Sequence, residues 1–575
     1  MMRSSIPAVL RERASLQPND TAFTCIDYDG DWEGTPQSLT WSQVYQRARN
    51  LAAELKACAK VGDRAVILAP QNLEYVIAFL ASLEAGIIAV PLSTPAEGHH
   101  DERVTAVLRD AAPTVILTTS GVVDNVAGYA VSQGNHVAPN ILEVDRMDLD
   151  SRRKITPVRD ERPPTAYLQY TSGSTRTPAG VMVSESNLAA NYEQMIGAVF
   201  PDDGRMAPPG TTTVSWLPFY HDMGLMLAIA APILGGWETV FMSPIAFLQR
   251  PARWMQNLAS HTRSVTAAPN FAYELALART KDEDLDGFDL GDVSRMISGA
   301  ERVHVSTIKR FVQRFARFNF PENVIRPSYG LAEATLYVAT HRDPGAQVVN
   351  FEPEKLSAGH AERCQNGTAL ISYGKPDSPI VRIVDPESCR EMPAGEIGEI
   401  WVQGENVALG YWGKPVETEY TFGAVLTDSN TGSFEGTWLR TGDLGFTSED
   451  ELFIIGRMKD LLIVRGRNHY PDDIEATVQA RSGGRVAAIS VPDAETEKLV
   501  VVIEFKRGDA PDEEFQERLR ILKSEVTAAI SRVHELAVGD LVIVPPGSIP
   551  ITTSGKIRRS GCVEKYARDE FVRCD

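Results

Sequence analysis

Apolar and polar positions in the first 160 residues switch repeatedly between two periods. Across residues 41–57, Val44, Ala48, Leu51 and Leu55 recur at helical spacing. Residues 64–69 form a short β-like run, 75–83 are apolar enough for a buried helix, and 87–91 and 115–118 are further strand candidates. This β–α alternation predicts a doubly wound parallel sheet. No chemical constellation falls on it, so it reads as scaffold. Later, Ile308, Phe311, Val312 and Phe315 mark an amphipathic helix over 305–318. Residues 378–410 alternate (Ile380, Arg382, Val384; Glu399, Trp401, Gln403), which predicts antiparallel strands of a small barrel. The last stretch has its own strands (486–491, 499–505, 541–544) and helices (472–480 behind Pro471, and 513–533), enough for a small α+β domain. Polar residues at 456–460 separate two apolar runs, 453–455 and 461–464, and set the expected boundary. The expected fold is α/β: a large N-terminal domain of doubly wound sheet subdomains plus a small β-barrel over 1–457, then a small α+β C-terminal domain over 458–575. Residues 347–374 match neither a clean strand nor a clean helix, so they are either a functional irregular segment or a tolerated surface loop.

Totals narrow the classes. A chain of 575 residues exceeds one core. A net charge of −19 argues against a nucleic-acid binder and a polybasic membrane anchor. The start of the chain lacks the pattern of a signal peptide. The longest apolar run, 225–237, contains Pro232 and is too short to span a bilayer, so no transmembrane segment is expected. The 6 cysteines show no CxxC spacing, which argues against a zinc site or disulfide framework and fits a cytoplasmic location.

Candidate chemistry gathers in a few turns. Residues 166–170 read as a strand and 184–195 as a helix. Between them Thr171, Ser172, Ser174 and Thr175 surround Gly173. Such a loop can aim N–H groups and hydroxyls at a polyphosphate, although the same composition suits a surface turn. A strand-like run over 214–220 delivers His221, which is either functional or a satisfied core residue. The apolar stretch 224–236 is either the wall of a lipid tunnel or a plain core helix. Gly299 and Ala300, in SGAE, would let a flat base approach the backbone, or simply make a turn. Ser328, Tyr329 and Gly330 end another strand-like run, and Tyr329 is placed to flank a base. Glu333 follows within a turn; its carboxylate suits Mg²⁺, and equally suits a helix start. Asp443 after a tight glycine turn can accept both ribose hydroxyls, with Arg457 opposite; each also fits a surface ion pair. Lys556 sits among hydroxyls on a glycine-flexed turn as a mobile point charge.

Seven motifs occur in order: YTSGST (170–175), SWLPFYHDMGL (215–225), SGAERV (298–303), RPSYGLAEAT (326–335), WLRTGD (438–443), GRMKDLLIVRGRN (456–468) and TTSGKIRR (552–559). Together they resemble the adenylate-forming superfamily of acyl-CoA synthetases, peptide-synthetase adenylation domains and luciferases, most closely the bacterial fatty acyl-AMP ligases, over nearly the whole chain. The resemblance implies ATP and Mg²⁺ as cofactors. It implies the following residue roles. The 171–175 loop and Glu333 hold the leaving pyrophosphate, and Gly299, Ala300 and 328–330 hold the adenine. Asp443 and Arg457 hold the ribose, and His221 closes over the acyl carboxylate. Lys556 is the catalytic lysine on a mobile C-terminal domain, with Lys459 as its hinge. The 347–374 segment looks like the insertion that packs against that domain and hinders the rotation admitting CoA. The implied activity converts a medium- or long-chain fatty acid to acyl-adenylate with pyrophosphate release, for transfer to an acyl carrier protein or polyketide synthase. Arg176 stands where the family has glycine and Ala179 where it has lysine; either Arg176 supplies the charge or the lysine is dispensable. The rival readings are an acyl-CoA synthetase and a non-catalytic adenylate-binding scaffold. No P-loop lysine motif, GxGxxG or HExxH spacing is present.

Overall fold

The computed structural model describes residues 5–95, 101–130, 138–152, 161–171, 178–427, 436–464, 467–493, 496–508, 511–534, 536–552 and 556–574. Two mostly parallel sheets form the large lobe. One has six strands in the spatial order Asn140–Glu143, Val115–Thr118, Arg64–Ile67, Ile88–Pro91, Tyr167–Tyr170, Gly180–Val183. The other has eight: Tyr337–Thr340, Ile325–Gly330, Val293–Ser298, Ser264–Ala268, Thr212–Ser215, Glu238–Phe241, Thr21–Asp27, Thr35–Thr40. Antiparallel pairs occur only at edges: Tyr167–Tyr170 with Gly180–Val183, Ile325–Gly330 with Tyr337–Thr340, and Thr21–Asp27 with Thr35–Thr40. Successive residues Ala65, Val66 and Ile67 are all buried, as a strand covered on both faces requires.

Helix Leu73–Ala85 lies between the sheets and is apolar nearly all round. The Asn72 side chain accepts from Tyr75 N at its start, and Gly86 ends it at φ 73°. Phe79 packs edge-on against Tyr167 of the six-stranded sheet, and Tyr75 packs on Phe219 beyond the eight-stranded one. The carboxyl ends of both sheets therefore open on one crevice, where ligands bind in doubly wound folds.

The strands expected to form a small barrel make an antiparallel sheet, Ile380–Val384, Gly398–Gln403, Leu439–Ser448, Glu451–Arg457, in that order. Among the described residues its two outer strands do not pair with each other, so the unit is an open sheet. Segment 347–374, expected to be irregular, is a hairpin, Val348–Phe351 with Thr368–Ile371, holding the short helix Pro353–Ser357. Its apolar positions are too few to announce a period, but Phe351 and Leu370 cover Phe446 and Phe453 of the open sheet. Two other local expectations change. The strand expected over 214–220 stops at Ser215, before Pro218, and His221 caps a following helix. The helix expected after Gly330 is a single 3-10 turn, Ala332–Ala334, because the chain returns at once into Tyr337–Thr340.

The C-terminal unit is a three-stranded sheet, Val486–Asp493, Thr496–Glu504, Val538–Val544. Alternation along these strands serves two cores. Val486, Ala488, Leu499 and Val501 face helices Pro471–Ser482 and Asp512–His534, while Ala487, Ile489, Val500 and Val502 face helix Arg559–Ala567. Among the described residues no helix is long and apolar enough to cross a membrane.

Candidate active site

One cavity of about 460 Å³ opens where the sheet ends, the open sheet and the C-terminal unit meet. At one end two turns touch through backbone. A Cβ on Gly299 would lie 2.7 Å from the Ser328 carbonyl oxygen, and one on Gly330 only 1.8 Å from that of Leu336. Neither position has room for a side chain, and Ala300 takes φ 67° to complete the turn. Tyr329 follows and donates its hydroxyl to Asp443 Oδ2 at 2.7 Å. Asp443 is buried behind the left-handed Gly442 and meets Arg457 Nε through Oδ1 at 3.4 Å. Asp443 raises the Arg457 pKa, while burial and then Asp443 push the Tyr329 phenol well up. The acid is thus gripped at both oxygens beside the turn.

Glu333 faces the middle of the cavity. Its Oε1 accepts from the Tyr411 hydroxyl at 2.8 Å, and its carbonyl accepts from Ala408 N at 2.9 Å. Thr335, at φ 68°, holds the same turn through its hydroxyl on the Asn406 carbonyl. Burial raises the Glu333 carboxyl, and the Tyr411 hydrogen bond opposes it. Across the cavity His221 Nδ1 lies 2.6 Å from Asp222 Oδ1, which also accepts from Met223 N at 2.7 Å. Burial alone would raise Asp222, but His221 and then Lys556 outweigh it and hold the carboxyl below its usual range.

Lys556 enters from the C-terminal unit. Its N–H donates to Thr552 Oγ1 and its carbonyl accepts from Thr552 N, so the two ends of its turn are tied together. Burial, then the charge of Arg457, lowers its pKa, while Asp222, Glu301 and Asp443 pull the other way. Three residues on, Arg559 binds three carboxylates: Glu475 (2.8 and 2.7 Å), Asp472 (2.6 Å) and Asp460 (2.9 Å). Arg302, beside the Gly299 turn, reaches Asp473 of the C-terminal unit at 2.5 Å. The turn Met458–Asp460, with exposed Lys459, links the two lobes at the cavity mouth.

Thr171, His221, Gly299, Ala300, Ser328, Tyr329, Gly330, Glu333, Asp443, Arg457, Lys459 and Lys556 thus all line one cavity, together with Ala179. Ser172, Gly173, Ser174, Thr175 and Arg176 lie outside the described residues. Three features escaped the sequence reading. Tyr411 follows Gly410 in a stretch with no chemical pattern. Asp222 reads only as a neighbour of His221. Arg559 is one of two adjacent arginines, and its three partners are distant in sequence. Beyond His221 the wall turns apolar. Met195, Leu227 and Ile297 border both the main cavity and a smaller one of about 30 Å³, which Phe200, Ala231 and Trp237 enclose. The 224–236 stretch supplies Leu227 and Ala231 from a helix that widens to a π turn over Met226–Ala230. Among the described residues no cluster of three or more His, Cys, Asp or Glu is placed to hold a metal.

Residues 459–574 match the family described as Disco-interacting protein 2-like, AMP domain. The putative fatty-acid–CoA ligase FadD21 of Mycobacterium tuberculosis is 60% identical over 100% of both chains. The long-chain-fatty-acid–AMP ligase FadD28 of Mycobacterium bovis is 57% identical, also over 100% of both. A fatty acyl-adenylate ligase from L. pneumophila, solved with acyl adenylate and pyrophosphate, superposes with a TM-score of 0.73 at 33% identity, covering 99% of this chain and 97% of that one. Residues 10–412 match the AMP-binding enzyme family, and with relatives of this identity along its whole length the chain belongs to that family.

Proposed function

We propose that the protein activates a medium- or long-chain fatty acid as its acyl-adenylate, at the expense of ATP. One observation carries the reading: the cavity that gathers the base-sized turn, Asp443, Glu333 and Lys556 also has an apolar border, Met195, Leu227 and Ile297, which it shares with a smaller apolar pocket. An oxygen of the fatty carboxylate attacks the α-phosphorus of ATP. The bond from that phosphorus to the bridging oxygen breaks, and pyrophosphate leaves with the electron pair. A carboxylate needs no deprotonation at neutral pH, so His221, fixed on Asp222, orients rather than acts as base. The catalytic burden is bringing two anions together. Lys556 neutralises charge at the reacting phosphorus. Asp443 and Arg457 hold the ribose, and the turns at Gly299–Ala300 and Ser328–Gly330 flank the base.

Glu333 fits a magnesium site, since it offers one buried carboxylate and Mg²⁺ takes the rest of its shell from substrate phosphates and water. When bound, the ion would neutralise phosphate charge. The 171–175 loop belongs to the same reading as the phosphate-binding segment.

The product is the free acyl-adenylate rather than acyl-CoA. Supporting this, one apolar cluster joins Phe351, Leu356 and Leu370 of the 347–374 hairpin to Tyr470, with Met458 and Leu461 packed on it. Such a clamp on the start of the C-terminal domain (458–575) restrains rotation about Lys459 away from the 1–457 domain. The acyl group then passes to the phosphopantetheine thiol of an acyl carrier protein or polyketide synthase, in the cytoplasm. The test is mass spectrometry of products from ATP, Mg²⁺ and fatty acids of graded length, with and without CoA and carrier protein. Acyl-AMP that persists in the presence of CoA is expected. Abundant acyl-CoA would refute the subtype, and absence of pyrophosphate release would refute the activity.

A further inference from the structure

The cations around the cavity are unevenly placed. Arg457 lines it from the end of the open sheet, and Lys459, Lys556, Arg558 and Arg559 line it from the linking turn and the C-terminal unit. Arg559 is engaged by three carboxylates. On the opposite wall, where Tyr170 and Thr171 leave the six-stranded sheet and Ala179 returns to it, these three described residues are apolar or hydroxylic. Among the described lining residues, one cation comes from the two mostly parallel sheets and their helices, Arg103.

Arg103 rides on a firmly docked element. It opens helix Glu102–Ala111, whose N-cap Asp101 accepts from Arg103 N and Val104 N. Asp101 N in turn donates to the Tyr129 hydroxyl at 2.7 Å. Two turns along, Asp110 accepts the Tyr170 hydroxyl at 2.6 Å. Residues seven apart share a helix face, so the face that holds Arg103 at the cavity is the one pinned to the strand that delivers Thr171. Burial lowers the Arg103 pKa, and Tyr220, Asp101 and Tyr75 are the groups that oppose it. A partly desolvated guanidinium of this kind favours an anionic ligand that it can bind through two N–H groups. Lys414, a described cation on the same side, donates to the Pro178 carbonyl at 2.6 Å and is not among the residues lining the cavity.

We propose that Arg103 binds the pyrophosphate portion of ATP, supplying from the large lobe the positive charge that the apolar Ala179 does not. The two ends of the triphosphate then meet opposite walls: Lys556 at the α-phosphorus and Arg103 at the leaving group. This rests on the adenylation reading, and the experiment separates the two.

The measurements are inhibition by inorganic pyrophosphate, KM for ATP, and binding of an acyl-sulfamoyl adenosine, which has the nucleoside and acyl parts but no pyrophosphate. In Arg103→Gln, pyrophosphate inhibition should weaken about tenfold to hundredfold, the range for losing a charge-assisted contact. KM for ATP should rise with it, while affinity for the sulfamoyl adenosine stays within about threefold. Arg103→Lys, which keeps the charge without the fork, should recover part of the loss. Pyrophosphate inhibition within about threefold of wild type, or equal weakening of the sulfamoyl adenosine, would overturn the assignment. If the Gln variant does not fold, the Lys variant decides on the same two ligands: at least a fivefold selective loss toward pyrophosphate supports the assignment, and no selective loss overturns it. A wild-type protein that released no pyrophosphate with any fatty acid would defeat the proposed function instead.

Discussion

Replacing Arg559 by methionine tests how Lys556 is held. The Arg559 side chain is 15% exposed, against 10% for Glu475, 26% for Asp472 and 23% for Asp460. Removing one partner of a buried ion cluster costs about 3–5 kcal/mol, because the remaining charges lose their compensation. Two of these carboxylates keep a quarter of their surface in water, so about 3 kcal/mol is expected. Asp472 is a second gauge. Burial would raise its carboxyl, but Arg559 and Arg302 hold it below the usual range. Its contribution to stability is therefore complete above about pH 4 and is lost as pH falls through the depressed folded value. Hydrogen exchange followed by mass spectrometry on the strand pair Val486–Asp493 and Thr496–Glu504 reads the local opening of this unit. About 3 kcal/mol corresponds to exchange roughly 150-fold faster at neutral pH, with a smaller difference in acid. Pyrophosphate release should fall as well, since Lys556 lies one turn before the anchor. Replacing Arg559, Asp472 and Glu475 together by neutral residues of similar size should restore much of the protection. Exchange within about threefold of wild type would mean that the cluster does not secure the domain.

Other outcomes follow from the same geometry. Lys556→Ala should cut adenylation about a hundredfold or more, the scale for losing one preorganised charge-stabilising group; a drop under about threefold would remove Lys556 from the mechanism. Burial depresses the Lys556 pKa, so kcat/KM should decline as pH rises through a value below the ordinary lysine range of about 10.4. Lys556→Arg should abolish that alkaline limb, and an unchanged profile would assign the limb elsewhere. Tyr411→Phe removes the hydrogen bond to Glu333 and should raise the magnesium concentration for half-maximal activity about threefold to tenfold; an unchanged magnesium dependence would contradict the positioning role. Gly330→Ala puts a methyl 1.8 Å from the Leu336 carbonyl oxygen, so nucleotide affinity should fall at least about tenfold, the price of forcing the turn apart. Calorimetric titration with ATP measures it, and wild-type affinity would show that the turn yields freely.

Much of the scaffold was legible because its signals are local. Helix Trp41–Cys58 and strand Val115–Thr118 follow from apolar spacing alone. The strands of the C-terminal sheet follow from the apolar runs at 486–491, 499–505 and 541–544, while their division between two cores is read from the structure. Local elements misread were those where tertiary contact decides conformation. The 3-10 turn holding Glu333 exists because the chain must return at once into Tyr337–Thr340, and the 347–374 hairpin exists because Phe351 and Leu370 find Phe446 and Phe453. Motif order named the residues of the cavity, but spacing along a chain carries no distances. The grip of Tyr411 on Glu333, the ion cluster around Arg559 and the gathering of Arg103 and Thr171 into one cavity join positions 78, 84 to 99, and 68 residues apart in sequence. By itself the sequence determined the periods, the turns and the chemical types of the side chains. Only the tertiary structure decided which charges face one another, because burial and proximity, which set their pKa values and their partners, arise when the two lobes close on a common cavity.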